Sequence, residues 1–129
     1  MIVLDASAAT GHLLDLEPQA QAIERRLSGG ALHVPHVFDV EVVQAVRRQA
    51  RRGLVSDAKA LDALGGLSDL PLTRYPHLPL VRRMWELREN VSPADAAYLA
   101  LAEALELPLV TLDTKLEGVP GIQARVEVL

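Results

Sequence analysis

Along this chain, short apolar and β-branched runs alternate with longer stretches in which apolar residues recur every three or four positions. The short runs predict strands at Ile2 to Leu4, Leu32 to Val34, Leu72 to Arg74, Leu109 to Thr111 and Arg125 to Val128. The longer periodic stretches predict helices at Ala6 to Leu14, Pro18 to Leu27, Val37 to Arg52, Ser56 to Leu67, Leu78 to Arg88 and Pro93 to Leu105. Glycine and proline punctuate the two kinds of segment, at Gly29-Gly30, Pro35, Gly53, Gly65-Gly66, Pro71, Pro76, Pro79, Pro93, Pro108 and a turn from Gly118 to Gly121. Strands separated by helices require right-handed crossovers, so the expected class is α/β, with a mainly parallel sheet flanked by helices. No internal repeat, low-complexity stretch or dividing linker interrupts residues 1–129, which are read as a single domain.

Composition adds constraints. A chain of 129 residues buries roughly two-thirds of its unfolded surface. Half of the residues are hydrophobic but only 3% are aromatic, so Leu, Val, Ala and Ile must fill the core, as suits a helix-covered parallel sheet. The absence of cysteine excludes disulfides and thiolate metal sites and fits a reducing compartment. No uncharged apolar run approaches the ~18 residues of a membrane span, and the N-terminus enters a strand without a basic leader. The expected location is therefore cytoplasmic. A net charge of -4 argues against non-specific coating of nucleic acid, though not against an enzyme whose acidic centre lowers the total. Basic residues are bunched, with Arg47, Arg48, Arg51 and Arg52 in one group and Arg82, Arg83 and Arg88 in another.

Four acids stand out by position: Asp5, Glu41, Asp95 and Asp113. Asp5 and Asp113 follow apolar runs and so lie at the carboxyl ends of predicted strands, where open α/β sheets place their ligand sites. Glu41 sits on a predicted helix with Val37, Phe38, Gln44 and Ala45 one turn away, a packed setting costly for an unpaired acid. Asp39 occupies another face of that helix. The helix after Asp95 is apolar all round and must be buried, which aims its first turn at the sheet. Carboxylates gathered in one place repel by about 4 kcal/mol per pair at 4 Å and an effective dielectric near 20, so a cluster calls for shared protons or a cation. A hard divalent ion satisfies oxygen donors of this kind.

Each acid also has a plainer explanation. Asp5 or Ser7 can cap the helix that follows, and Asp113, Thr111 or Thr114 can cap a short helix. Ser92-Pro93-Ala94-Asp95 has the spacing of a capping box. Glu41 can form a buried ion pair with an arginine of the chain. The arginines beyond Glu41 can complement the negative pole of their helix or contact phosphates. What favours a shared site is the joint placement of two acids at strand ends and two on inward-looking helices.

The segments Ile2-Val3-Leu4-Asp5-Ala6-Ser7, the Glu41 helix after Pro35, Ser92-Pro93-Ala94-Asp95-Ala96-Ala97-Tyr98-Leu99-Ala100-Leu101-Ala102 and Leu109-Val110-Thr111-Leu112-Asp113 resemble, in order and spacing, the motifs of PIN-domain ribonucleases, specifically the VapC toxins of bacterial toxin-antitoxin pairs. The likeness runs from residue 1 to the last strand. It implies a five-stranded sheet ordered 3-2-1-4-5, with the strands ending in Asp5 and Asp113 side by side. It also implies that Asp5, Glu41, Asp95 and Asp113 are catalytic acids holding one or two Mg²⁺ or Mn²⁺ ions, with Ser7 and Thr111 as supporting or water-positioning groups. The reaction implied is hydrolysis of RNA phosphodiester bonds by a metal-activated water, with Asp95 or Asp113 as proton acceptor. The implied partners are a VapB-like antitoxin and a second copy of the chain. Arg47, Arg48, Arg51 and Arg52 become candidate contacts for RNA or antitoxin, and the Pro18 to Leu27 and Ser56 to Leu67 regions supply apolar positions for partner surfaces.

Other chemistries fit less well. His12, His33, His36 and His77 lack zinc-like spacing and read as ordinary loop or surface residues. There is no P-loop, dinucleotide fingerprint or nucleophile elbow. A non-catalytic Mg²⁺-binding regulatory or interaction domain is the alternative. A receiver-type domain needs a second acid beside Asp5, where Ala6 stands, and an Asp-x-Asp phosphatase needs an acid where Ser7 stands.

Overall fold

The computed structural model describes residues 1–129. In chain order it runs β1 (Ile2–Leu4), α1 (Ala6–Leu13), α2 (Ala20–Leu27), β2 (Leu32–Pro35), α3 (Phe38–Arg51), α4 (Asp57–Gly65), β3 (Leu72–Tyr75), α5 (Val81–Glu86), α6 (Pro93–Leu105), β4 (Leu109–Thr111) and β5 (Val126–Val128). The strands form one sheet in the order β3-β2-β1-β4-β5, and every neighbouring pair is parallel. This is the expected architecture. The chain builds outward from β1 to β2 and β3, then returns through α5 and α6 to place β4 on the other side of β1. The strand order therefore reverses between β1 and β4, and a crevice opens at that point outside the carboxyl ends of the strands. Asp5 and Asp113 flank that crevice.

Burial explains why the central strands read as apolar runs. Ile2, Val3 and Leu4 of β1 and Leu109, Val110 and Thr111 of β4 are all buried, whereas the edge strands β3 and β5 carry Arg74 and Glu127 at their surfaces. Phe38 and Tyr98 are the largest fully buried side chains, and aliphatic residues make up nearly all the rest of the core. The helix α6 is sealed from Ala96 to Ala102 and packs across β1, β2 and β4, which carries its first turn to the crevice. Its start is the expected one: Ser92 Oγ accepts from the Asp95 N–H at 3.2 Å, and Pro93 fills the first turn. Gly11 on α1 permits a close approach, because a Cβ there would stand 2.9 Å from Ile23 Cδ1 on α2.

Two predicted helices are shortened by their own residues. The stretch from Ser56 to Leu67 is α-helical only to Gly65, and Gly66–Asp69 follows as a 3-10 turn, since paired glycines are poor helix formers. The stretch from Leu78 to Arg88 opens as a 3-10 turn at Leu78–Leu80, where Pro79 has no N–H to offer, and α5 is confined to Val81–Glu86. The apolar positions of Pro18 to Leu27 do not form a surface, because Ala20, Ile23 and Leu27 are buried in the core. The exposed apolar side chains lie instead at Val40, Val43, Leu54 and Leu61, and at Leu78, Val81 and Trp85. No helix is long and apolar enough to cross a membrane.

Candidate active site

Asp5 occupies the N-cap position of α1 yet makes no side-chain capping bond, so the plain explanation for it fails. Its carboxylate is held from the side. Ser7 Oγ donates to Asp5 Oδ2 at 2.5 Å, and Thr111 Oγ1 donates to the same oxygen at 2.7 Å. Each hydroxyl has one proton, and both protons are committed to Asp5. The hydroxyl oxygens are then free to accept, and they do: the Leu112 N–H donates to Ser7 Oγ at 3.0 Å and the Asp113 N–H to Thr111 Oγ1 at 2.9 Å. Two of these four bonds, Thr111 to Asp5 and Leu112 to Ser7, lace the end of β1 to the end of β4, and the other two brace each end locally. They also leave Asp5 Oδ1 without an intrachain hydrogen bond.

Asp113 does act as a cap, with Oδ1 accepting from the Lys115 N–H at 2.9 Å at the start of the 3-10 turn Thr114–Leu116. Asp95, half-buried on the first turn of α6, is held by burial and then by the charge of Asp5 above the ordinary aspartate range, with a smaller push from Asp113. Burial likewise raises Glu41, and the nearby charges of Asp5 and Asp95 add to it against the opposing influence of Tyr98. The buried ion pair considered for Glu41 does not form, and its Oε1 is buried without any hydrogen-bond partner. Asp5 and Asp113 stand at the ends of the paired strands β1 and β4, Asp95 sits on the first turn of the helix packed across them, and Glu41 lies in the first turn of α3.

Tyr98 is a further candidate for the site, one that the pattern of the chain does not mark. Its ring is fully buried, and its hydroxyl lies beside Glu41 and Asp5 with no hydrogen bond of proper geometry to either. Burial first, and then those negative charges, hold the phenol far above its ordinary range, so it keeps its proton. A signal existed: Asp95 and Tyr98 are three apart on one helix and share a face, and Tyr98 is the only hydroxyl on α6.

The histidines are less ordinary than their spacing suggests. His33 lies on β2 and pairs its Nδ1 with the Tyr75 hydroxyl at 2.8 Å, and His77 Nε2 accepts the Val37 N–H at 2.9 Å at the start of α3. Arg83 is committed to Glu103 and Glu86, Arg88 lies near Glu89 and over the Trp85 ring, and the exposed Arg82 faces Glu86. That arginine group is therefore largely paired. Arg47, Arg48, Arg51 and Arg52 are exposed at the end of α3 and make no ion pair. Asp39 pairs with Arg74 at 2.7 Å, away from Glu41.

A divalent ion suits this donor set. No three acidic or histidine side chains stand close enough to hold an ion among them directly. Mg²⁺ asks for less, because it keeps several waters and is usually bound through one or two carboxylates. An unpartnered buried carboxylate oxygen on Glu41 and a carboxylate on Asp5 steadied through one oxygen only are compatible with such an ion.

A model of the PIN domain matches residues 2–122. Ribonuclease VapC12 of Mycobacterium tuberculosis is 43% identical over 129 residues, which cover all of this chain and 99% of the relative. Ribonuclease VapC9 of the same species is 42% identical over 129 residues, with 100% and 98% covered. Among solved structures, PAE2754 from Pyrobaculum aerophilum superposes with a TM-score of 0.71 at 25% identity, over 98% of this chain and 83% of that one. VapBC2 from Rickettsia felis, bound to a DNA fragment from its promoter, has the same fold at a TM-score of 0.70 and 14% identity, over 100% and 99% of the two chains. The chain belongs to the PIN-domain family, within its VapC ribonuclease branch.

Proposed function

We propose that this protein is a Mg²⁺- or Mn²⁺-dependent endoribonuclease, the toxin of a type II toxin-antitoxin pair, acting as a single PIN domain over residues 1–129. The observation that supports the reading is the position of Asp5 and Asp113 at the ends of the neighbouring strands β1 and β4, with Asp95 opening the helix packed across them. Kinship with ribonucleases named VapC supports RNA as the substrate class. Bound between these carboxylates, a divalent ion supplies a water of lowered pKa and offsets charge on the scissile phosphate. The chain's own groups do the rest. Ser7 and Thr111 hold Asp5 in one orientation, so that Oδ1 faces outward as a donor. Glu41 contributes a carboxylate that no arginine or lysine of the chain pairs with. Asp95 is our choice of proton acceptor, since burial and Asp5 raise its affinity for a proton, while Asp113 spends one oxygen on the Lys115 N–H.

Arg47, Arg48, Arg51 and Arg52 are proposed to contact RNA phosphates or an acidic segment of a VapB-like antitoxin. The exposed apolar side chains of α3 and α4 and those around α5 are available for antitoxin and for a second copy of the chain. Sedimentation that finds only monomer at micromolar concentration argues against the homodimer.

The direct test is incubation of antitoxin-free protein with total RNA, with Mg²⁺ or Mn²⁺ and with chelator, followed by mapping of the cut ends. Discrete cuts that chelator abolishes are expected. Cation binding without any cleavage would instead identify a non-catalytic Mg²⁺-binding interaction domain.

A further inference from the structure

Among the four buried side-chain polar atoms without a hydrogen-bond partner are the Tyr98 hydroxyl and Glu41 Oε1, and these two groups influence one another. Tyr98 is wholly enclosed, so water does not satisfy its hydroxyl from bulk solvent. The polar groups bearing on that hydroxyl are Glu41, Asp5 and the backbone N–H of Ala6, the first residue of α1. Their chemistry sets its direction. An N–H only donates and a carboxylate only accepts, so the proton of the phenol has the acids as its available acceptors.

We propose that Tyr98 is a positioning residue, whose hydroxyl donates to Glu41 and turns the free oxygen of that carboxylate toward the crevice shared with Asp5 and Asp95. The inference rests on the reading of Glu41 as a metal ligand. Asp95 and Tyr98 lie one turn apart on α6, so one rigid, buried helix delivers an acid and the group that aims a second acid. Such a bond satisfies two buried groups at once, because both ends are otherwise unpaired.

Tyr98→Phe removes one oxygen and keeps the ring that fills the core. In calorimetric titration with Mg²⁺ alone, Tyr98→Phe is expected to bind at least tenfold more weakly than the parent. RNA cleavage is expected to lose kcat with little change in KM. In metal-free buffer, the thermal stabilities of Tyr98→Phe, Glu41→Leu and the double variant form a cycle, and the two changes are expected to be strongly non-additive. Parental Mg²⁺ affinity in Tyr98→Phe together with additive stability changes would overturn the proposal. The cycle needs no metal and no RNA, so it decides the Tyr98–Glu41 pairing even if the parent neither binds Mg²⁺ nor cuts RNA. Those two failures would sink the functional reading alone.

Discussion

Thr111, the last residue of β4, donates its hydroxyl to Asp5, which follows the last residue of β1, across 2.7 Å of buried space. The same oxygen accepts the Asp113 N–H, so a single side chain positions one candidate ligand and fixes the backbone of another. Thr111→Val keeps the shape and removes both bonds. It is expected to cost about 1–3 kcal/mol of stability, read from a denaturant midpoint, because a buried acceptor and a backbone donor lose their partner. It should also weaken Mg²⁺ binding. A variant with parental midpoint and parental Mg²⁺ affinity would show that the lacing of β1 to β4 carries neither stability nor function.

Asp5→Asn and Asp95→Asn should each abolish Mg²⁺-dependent RNA cleavage while the chain stays folded. Metal-stabilised charge in a phosphoryl transition state is worth several kcal/mol, and each 1.36 kcal/mol is tenfold, so a loss of roughly a hundredfold or more is expected. The cap on α6 survives Asp95→Asn, since Ser92 accepts from the backbone N–H and not from the carboxylate. Undiminished cleavage in either variant removes that residue from the site. Unfolding of both would instead assign the two acids to holding the fold.

The acids of the crevice make a signed prediction about pH. Glu41 is raised from 4.5 and Asp95 from 3.8, in both cases by burial first. Below these ordinary values, the folded and unfolded chains are both protonated at the two positions. As pH climbs through the ordinary values toward the raised ones, the folded chain keeps protons that the unfolded chain has lost, so this contribution to stability falls. Glu127 runs the other way. Arg26 first and then Arg125 hold it low, and it contributes stability that is lost only as pH falls below the ordinary range. Melting curves across pH should therefore show Glu41→Gln more stable than the parent at neutral pH without metal, with the difference vanishing on acidification. Mg²⁺ should raise the melting temperature of the parent, and a hundredfold excess over Kd corresponds to about 2.7 kcal/mol. A Glu41→Gln protein less stable than the parent at every pH would refute the crowding of charge.

His77 gives a test of how α3 is set. Its Nε2 accepts the Val37 N–H, one turn before Glu41, whose own N–H bonds the Val37 carbonyl at 3.0 Å. His77→Ala should cost about 1 kcal/mol in unfolding by denaturant, the usual net worth of such a bond. His77→Gln restores an acceptor and should recover much of it. Equal losses in the two variants would mean that ring packing against His36 matters and the hydrogen bond does not.

Neutralising Arg47, Arg48, Arg51 and Arg52 should flatten the dependence of RNA binding on salt, by roughly one in logarithmic slope for each arginine that pairs with a phosphate. An unchanged slope would return these residues to the plain role of cations at a helix C-terminus.

Much of the fold, and the positions of the candidate acids on it, are legible in the chain itself. Asp5 and Asp113 are placed by the apolar runs before them, because a buried parallel strand leaves few choices of residue and its end is sharply marked. Asp95 is placed by the sealed helix behind it. Tyr98 is not legible, since a tyrosine among alanines and leucines looks like core, and only the packing of α6 against β1 brings its hydroxyl to Glu41. His77 escapes for a similar reason: its partner is 40 residues away, and the bond depends on how the segment after β3 meets α3. Arg83 looks like part of a basic patch because Glu103, which binds it at 2.6 Å, lies on another helix. Local pattern fixes what one element does with its own residues, whereas these pairings arise from tertiary contact.

The most direct measurement is anomalous scattering from a crystal soaked in Mn²⁺. The account predicts a peak in the β1–β4 crevice, bounded by Asp5, Glu41, Asp95 and Asp113, that disappears in Asp5→Asn. A crevice with no peak at Mn²⁺ concentrations that support RNA cleavage, or a peak elsewhere in the molecule, would contradict it.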